Sequence, residues 1–113
     1  MEEIKKICNR YKIKIIEDAS QALGATYNGK KIGCCKYSDI TVFSFHPVKI
    51  ITTGEGGMVT TSNKAFFERA KSYRNLCFKK ERRFYHDELG ENFRMTNIQA
   101  AIGLAQLEKF KTT

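Results

Sequence analysis

Residues 40–57 read ITVFSFHPVKIITTGEGG, and this stretch decides the fold. Its first part, Ile40 to Phe45, is rich in β-branched and aromatic residues, which predicts a buried strand over Asp39 to Phe45. The second part is a loop rich in Thr and Gly that contains Lys49. A lysine delivered from the end of a buried strand is poorly placed to be a solvated surface charge. It is well placed to lose its proton and act as an amine nucleophile.

A second apolar run, Ile13 to Glu17, predicts another strand, and Asp18 follows it directly. An amphipathic helix is predicted before this strand, over Glu2 to Tyr11, because its apolar residues recur at helical spacing. The order of helix, strand and strand indicates an α/β fold. An amine and a carboxylate at neighbouring strand ends are what a pyridoxal phosphate enzyme requires, because the carboxylate keeps the pyridine nitrogen protonated. Ser44, at the same strand end as Lys49, is a natural donor to the phosphate.

The rest of the chain alternates turn signals with short periodic segments. The pair Asn28-Gly29 predicts a small hairpin over 26–32. A short strand is predicted over Met58 to Thr61. Two further helices are predicted, one capped by Ser62 or Asn63 and running to about Arg74, the other opened by the capping box Thr96-x-x-Gln99. Small residues on the last helix would let another helix approach closely: Ala100, Ala101, Gly103 and Ala105.

The composition is that of a soluble globular chain with room for one domain and a modest core. The chain has 113 residues, is 42% hydrophobic and 28% charged, and carries a net charge of +8, which permits anionic partners without naming one. No signal peptide opens it, and no apolar stretch reaches the ~20 residues of a membrane helix. The four cysteines form no Cys-x-x-Cys pair, so reduced thiols in the cytoplasm are expected.

Several signals have simpler explanations than a functional site. An aspartate after a strand is usually a turn residue, and Ser44 could be a buried hydroxyl bonded to its own strand. The basic stretch from Lys79 to Arg83, with aromatic neighbours, has the composition of a nucleic-acid patch, but charge runs are usually solvated loops. The near phosphate-loop pattern at 24–31 lacks the final Ser or Thr, and the contiguous 86–88 lacks the ligand spacing of a metal site.

Three motifs together resemble those of one family. They are EDASQA with GA at 17–22 and 24–25, SFHPVK with TGEGG at 44–49 and 53–57, and NFRMTNIQAA at 92–101. In this order and spacing they are similar to the DegT/DnrJ/EryC1/StrS family of fold-type I, pyridoxal phosphate-dependent nucleotide-sugar aminotransferases. The resemblance covers nearly the whole chain.

The resemblance implies a role for each matching residue. Lys49 would hold the cofactor as a Schiff base, Asp18 would pair with the pyridine nitrogen, and Gln21 would lie beside the ring. Ser44 would bind the phosphate. Asn92 and Arg94 would reach the phosphate or substrate region of a neighbouring subunit, and His46 would touch substrate. No metal is implied.

The resemblance also implies the architecture and the reaction. The chain would be a single partial domain over 1–113, the central part of an aminotransferase large domain with a mixed sheet flanked by helices, and the N-terminal part and C-terminal small domain would be absent. A homodimer with shared sites would move an amino group, with glutamate as the expected donor, to a nucleotide-linked keto sugar. The alternatives are a non-catalytic remnant that self-associates through its last helix, and a basic nucleic-acid-binding module.

Overall fold

A three-stranded sheet forms the centre of the computed structural model, which describes residues 1–79 and 81–110. Lys80, part of the predicted basic stretch, lies outside the described residues. In chain order the elements are α1 (Glu2–Arg10), β1 (Ile16–Asp18), β2 (Thr26–Tyr27), β3 (Lys30–Lys31), β4 (Ile40–Ser44), β5 (Gly57–Thr60), α2 (Lys64–Arg74) and α3 (Asn97–Phe110).

The sheet is mixed, as predicted, and β4 is its middle strand. β1 pairs with β4 in parallel, with Asp18 opposite Val42, and β5 pairs with β4 antiparallel, with Phe43 opposite Met58. Because β1 and β4 are parallel, their carboxyl ends lie at the same edge of the sheet. The residues that follow Asp18 and Ser44 are therefore brought to a common edge.

The start of β1 differs from the prediction, which placed a strand over Ile13 to Glu17. Pairing begins only at Ile16, because its partner strand begins at Ile40. Before that point the backbone N–H of Ile15 donates to a carboxylate oxygen of Asp39 at 2.9 Å, so a side chain replaces a strand neighbour. The predicted strands over 39–45 and 58–61 are confirmed to within one residue at each end.

The predicted hairpin is confirmed by β2 and β3, which pair antiparallel with Thr26 opposite Lys31. Asn28 and Gly29 at its turn have φ values of 47° and 70°. Two consecutive positive φ angles define the type I′ turn that matches the twist of paired strands. A strand therefore stands where the helix of a phosphate loop would begin.

Both predicted caps are present. The side-chain oxygen of Asn63 accepts from the backbone N–H groups of Ala65 at 2.8 Å and Phe66 at 3.1 Å, so Asn63, not Ser62, caps α2. At the start of α3, the N–H of Thr96 donates to Gln99 Oε1 at 2.9 Å, and the N–H of Gln99 donates to Thr96 Oγ1 at 3.2 Å. This reciprocal pair is the capping box that the sequence predicts.

The expected hydrophobic core is smaller than the sequence suggests. Among the described residues the buried hydrophobic ones are Ala19, Ile51 and Cys77. The described part is flat, 45 × 41 × 19 Å, and its radius of gyration of 16.2 Å exceeds the roughly 13 Å expected for a compact domain of this length. Apolar faces of the helices stay exposed because no second layer covers them, as at Ile7 and Ile98.

Two further observations bear on the expected environment of the chain. Within residues 1–79 and 81–110, no helix combines the length and apolar character needed to cross a bilayer. All four cysteines are free thiols. The cytoplasmic location stays a prediction.

Candidate functional site

The residues after β4 form a tight turn that carries Lys49. The backbone N–H of His46 donates to Ser44 Oγ at 3.2 Å, and the N–H of Lys49 donates to the carbonyl of His46 at 3.0 Å. The turn leaves His46 exposed and Lys49 half-buried. Lys49 is therefore not the fully solvated charge of an ordinary surface lysine.

Lys49 lies in a small cleft of about 50 Å³, hereafter the lysine cleft. Its walls come from the loop after β1 and the loop after β4, as the parallel pairing requires. It is lined by Ser20, Gln21, Leu23, Ser44, Val48, Lys49 and Ile50. Three of the residues singled out from sequence, Gln21, Ser44 and Lys49, thus share one cleft.

Asp18 ends β1 beside this cleft. One carboxylate oxygen accepts from the N–H of Ser20 at 2.9 Å and from the Ser20 hydroxyl. These hydrogen bonds, together with the positive charge of Lys49 and against a desolvation effect, hold the pKa of Asp18 below its usual value. The carboxylate is therefore ionised at neutral pH.

The alternative view of Asp18 as a turn residue is confirmed. A carboxylate that accepts from the N–H two residues later forms an Asx turn. The two roles are compatible, because the second carboxylate oxygen makes no hydrogen bond to any of the described residues. Ser20, which supplies both donors and also lines the cleft, was missed in the sequence analysis although the Asp-x-Ser spacing indicates such a turn.

The loop that carries Lys49 is closed at its base by hydrogen bonds to Phe45. The N–H of Thr53 and the hydroxyl of Thr52 both donate to the Phe45 carbonyl, at 3.0 and 2.9 Å, and the Phe45 N–H donates to the carbonyl of Gly56 at 2.8 Å. A Cβ on Gly57 would lie 2.7 Å from the Phe43 carbonyl oxygen. The glycine therefore permits the tight re-entry of the chain into β5.

A buried polar cluster joins β1 to β4 next to Asp18. Glu17 Oε2 accepts from the hydroxyls of Ser38 and Thr41, each at 3.1 Å, and those two hydroxyls lie 2.9 Å apart. Thr41 is fully buried, with 0% exposure. The sequence analysis did not foresee this cluster, since Glu17 lies more than 20 residues from Ser38 and Thr41 and no spacing rule links them.

Asn92 and Arg94 lie elsewhere, in a broad groove of about 950 Å³, hereafter the Asn92 groove. Its floor is formed by β4 and β5, and α2 and the segment before α3 form its sides. It is lined by Val42, Phe43, Glu55, Gly56, Gly57, Met58, Val59, Phe67, Ala70, Lys71, Tyr73, Arg74, Asn92, Phe93, Arg94, Met95 and Gln99. The Arg94 Nε donates to Asn92 Oδ1 at 2.9 Å. Within the described chain these two residues do not join the lysine cleft.

The cationic side chains of the basic stretch contact residues of their own segment. Lys79 forms an ion pair with Asp87 at 2.7 Å and lies 4.8 Å from the ring centre of Tyr85. Arg82 stacks on the same ring at 5.1 Å, and Arg83 stacks on Phe84 at 5.1 Å. The aromatic residues that suggested base stacking thus contact neighbouring cations.

Comparison with known proteins gives a family match over the whole chain. The model of the DegT/DnrJ/EryC1/StrS aminotransferase family matches residues 1–113. A GDP-perosamine synthase of Escherichia coli O157:H7 is 45% identical over 109 residues, covering 96% of this chain and 29% of that protein.

Solved structures agree with the fold. PseC of Helicobacter pylori, described as an aminotransferase involved in the biosynthesis of pseudoaminic acid, superposes with a TM-score of 0.88 at 38% identity, over 98% of this chain and 30% of that one. NtdA of Bacillus subtilis, solved with bound cofactor PMP, gives 0.82 at 34% identity, over 98% and 25%. The chain spans less than a third of the length of these relatives. The predicted fold class is confirmed.

Proposed function

Because the chain belongs to the DegT/DnrJ/EryC1/StrS aminotransferase family, we propose that it carries the lysine side of a pyridoxal phosphate-dependent aminotransferase site. The reaction is transfer of an amino group to a nucleotide-linked keto sugar, with glutamate as donor. The observation that carries the proposal is the lysine cleft, in which Lys49 lies with Gln21 and Ser44 beside an ionised Asp18. The similarity to a GDP-perosamine synthase and to the aminotransferase PseC supports the substrate class and the reaction.

The side chains at the cleft fit pyridoxal phosphate. Lys49 offers the amine, Asp18 a carboxylate for the pyridine nitrogen, Ser44 a hydroxyl for the phosphate, and Gln21 an amide for the edge of the ring. When bound, the cofactor supplies an electron sink for the negative charge left on the amino-bearing carbon after proton removal. The bound PMP in NtdA supports this choice of cofactor.

Each residue then has a definable task. Asp18 stays negative across the neutral range, because hydrogen bonds from Ser20 and the charge of Lys49 lower its pKa, so its carboxylate would keep the pyridine nitrogen of a bound cofactor protonated. The Nζ of Lys49 would take the proton that leaves the amino-bearing carbon of the donor, and it would later give a proton to the sugar carbon that receives the amino group. We assign a substrate contact to the exposed ring of His46, three residues before Lys49.

The Asn92 groove suggests that the complete site uses a second copy. Asn92 and Arg94 do not join the lysine cleft of their own chain, and we assign them to the phosphate or substrate region of a neighbouring subunit. A homodimer with shared sites follows from this assignment. We also assign 1–113 to the central part of an aminotransferase large domain.

Covalent trapping tests the proposal. The chain is incubated with pyridoxal phosphate, reduced with borohydride and mapped by peptide mass spectrometry. We expect one dominant labelled site at Lys49 and, in Lys49→Arg, loss of the label, because arginine keeps the charge but is not a comparable nucleophile. Lys30→Arg, in the exposed hairpin, is the matched control and should label like the wild type. Equal labelling of many lysines would contradict the proposal.

The remnant alternative is favoured by one observation, the exposed apolar side chains of α3, including Ile98 and Leu104 at 76% and 56% exposure. A remnant would associate through this helix without capturing the cofactor. Sedimentation and mapping of the label on the same samples together separate the two, because both predict dimers but only the dimers of a remnant carry no label at Lys49.

A further inference from the structure

Gln106 on α3 makes an unusual contact with the lysine loop. Its side-chain Nε2 donates to the carbonyl of Thr52 at 2.6 Å, and its Oε1 accepts from the N–H of Thr52 at 3.1 Å. One amide side chain thus satisfies both backbone polar groups of a residue three positions after Lys49. Such an exchange is what a neighbouring strand would provide.

The contact belongs to a whole face of α3. Gln99, Gly103 and Gln106 recur at i, i+4 and i+7, which places them on one side of the helix. Gln99 Nε2 donates to the carbonyl of Glu55 at 3.0 Å, and a Cβ on Gly103 would lie 2.9 Å from the Thr53 methyl group. Close approach at Gly103 therefore serves the lysine loop, whereas the sequence suggested contact with another helix.

The same helix also reaches the other wall of the lysine cleft. The ring of Phe110 packs on Gly24, where a Cβ would lie 2.7 Å from the ring. Gly24 directly follows Leu23, which lines the cleft. α3 thus contacts the loop after β1 with its last turn and the loop after β4 with its middle.

We propose that Gln106 is a positioning residue that fixes the lysine loop, and through Thr52 the direction of Lys49, toward the cofactor. This inference rests on the proposed function. The physical reason is that Thr52 lies outside the strands, and among the described residues Gln106 is the partner of both its half-buried backbone N–H and its carbonyl, so loss of Gln106 leaves both groups unpaired within that part of the chain. If the loop shifts by about 1 Å, the Lys49 amine is no longer aligned with the atom that it attacks, and the rate of the reaction falls by up to about 100-fold.

The test compares Gln106→Leu, which keeps the volume but loses both hydrogen bonds, with Leu104→Ala, an exposed position on the same helix. The rate of covalent capture at Lys49 is measured against pyridoxal phosphate concentration by borohydride quenching. We expect the maximal rate to fall about tenfold in Gln106→Leu, with the half-saturating concentration changed less than about twofold. Gln106→Glu, which keeps the acceptor for the Thr52 N–H, should recover part of the rate.

Hydrogen exchange at the Thr52 amide supplies a readout that needs no cofactor. We expect exchange to become at least about fivefold faster in Gln106→Leu and to be unchanged in Leu104→Ala, with the helical circular dichroism of all variants alike. Unchanged Thr52 exchange, or equal capture rates in Gln106→Leu and the wild type, would overturn the inference. A wild-type chain that captures no cofactor overturns the proposed function, and the assignment of Gln106 with it.

Discussion

The lysine cleft and the Asn92 groove lie at different places on the same sheet and are built in different ways. The cleft is formed by two loops that leave parallel strands at a common edge, and hydrogen bonds to Phe45 and Ser20 fix those loops. The groove has an apolar floor on β4 and β5, and its polar residues Asn92 and Arg94 come from an extended segment before α3.

This difference indicates which part of a site one chain can complete alone. Backbone hydrogen bonds and strand pairing fix the cleft residues inside this chain, so their relative positions need no partner. The groove is about twenty times larger, and its residue Asn92 accepts from Arg94, a neighbour in the same short segment. A large apolar hollow rimmed by polar groups is typical of a surface that another element covers.

Asp18→Asn should produce the largest effect after Lys49 itself, because the substitution removes the negative charge beside the cleft. Asparagine keeps the shape and the turn acceptor but loses the charge that would hold the ring proton. We expect retention of pyridoxal phosphate to weaken about 10- to 100-fold, the range for loss of a hydrogen bond to a charged group. Equilibrium dialysis, followed by borohydride reduction, measures it.

Asp39→Asn is the control for that change, since Asp39 lies at the opposite end of the parallel pair. Its cofactor retention should match that of the wild type. Equally weakened retention of pyridoxal phosphate in both variants would mean that any loss of negative charge has this effect. Asp18 would then have no specific role in binding the cofactor.

The contrast between cleft and groove also explains what the sequence could predict. The cleft follows from local patterns: an apolar strand ending before Lys49, another ending at Asp18, and parallel pairing that brings their ends together. The helix caps at Asn63 and Thr96 could also be predicted from the sequence, because capping depends on residues within about three positions of each other.

Contacts between distant segments could not be predicted from the sequence. Gln106 with Thr52 and Glu17 with Thr41 join residues 54 and 24 positions apart, and no spacing rule links them. The exposure of the helix faces was missed for a related reason: periodicity shows that a helix has an apolar side but not what lies against it.

Asp39→Asn has its own effect, on stability. Hydrogen bonds from the Ile15 N–H and then from Lys14 lower the pKa of Asp39, so its folded pKa lies below its unfolded one. Its contribution is therefore complete above about pH 4 and is lost as the pH falls through the folded pKa. We expect Asp39→Asn to cost about 1.5 kcal/mol at pH 7 in urea unfolding.

The same unfolding series at pH 3 tests this direction, because the difference in stability between the wild type and Asp39→Asn should be smaller there than at pH 7. Lys14→Gln is the matched control: its ion pair with Asp39 is mostly exposed, so it should cost less than about 0.5 kcal/mol. A Lys14 effect as large as that of Asp39 would place the stabilisation in the ion pair and not in the bond to Ile15.

Asn63→Ala tests whether the groove and the cleft respond independently, because α2 forms one side of the groove and does not line the cleft. Loss of the two cap bonds to Ala65 and Phe66 should cost about 1 kcal/mol, whereas Ser62→Ala should cost almost nothing. Faster amide exchange at Ala65 and Phe66 measures the effect. If cofactor capture at Lys49 fell with it, the two regions would not be independent.

Asn92→Ala should have the smallest effect within a single chain. Distant sites with no shared partners act independently to within about 0.5 kcal/mol, so capture at Lys49 should change by less than about threefold in dilute samples.

If Asn92 serves a neighbouring subunit, the effect of Asn92→Ala on cofactor capture appears only where copies associate. Adding unlabelled Lys49→Ala chains, which carry an intact Asn92, should then raise capture on Asn92→Ala chains, whereas adding Lys49→Ala,Asn92→Ala chains should not. Only a cleft that the partner's Asn92 completes would capture more cofactor with the first added chain than with the second. Equal capture after both additions would therefore remove the argument for a shared site and leave Asn92 as a structural residue of the groove.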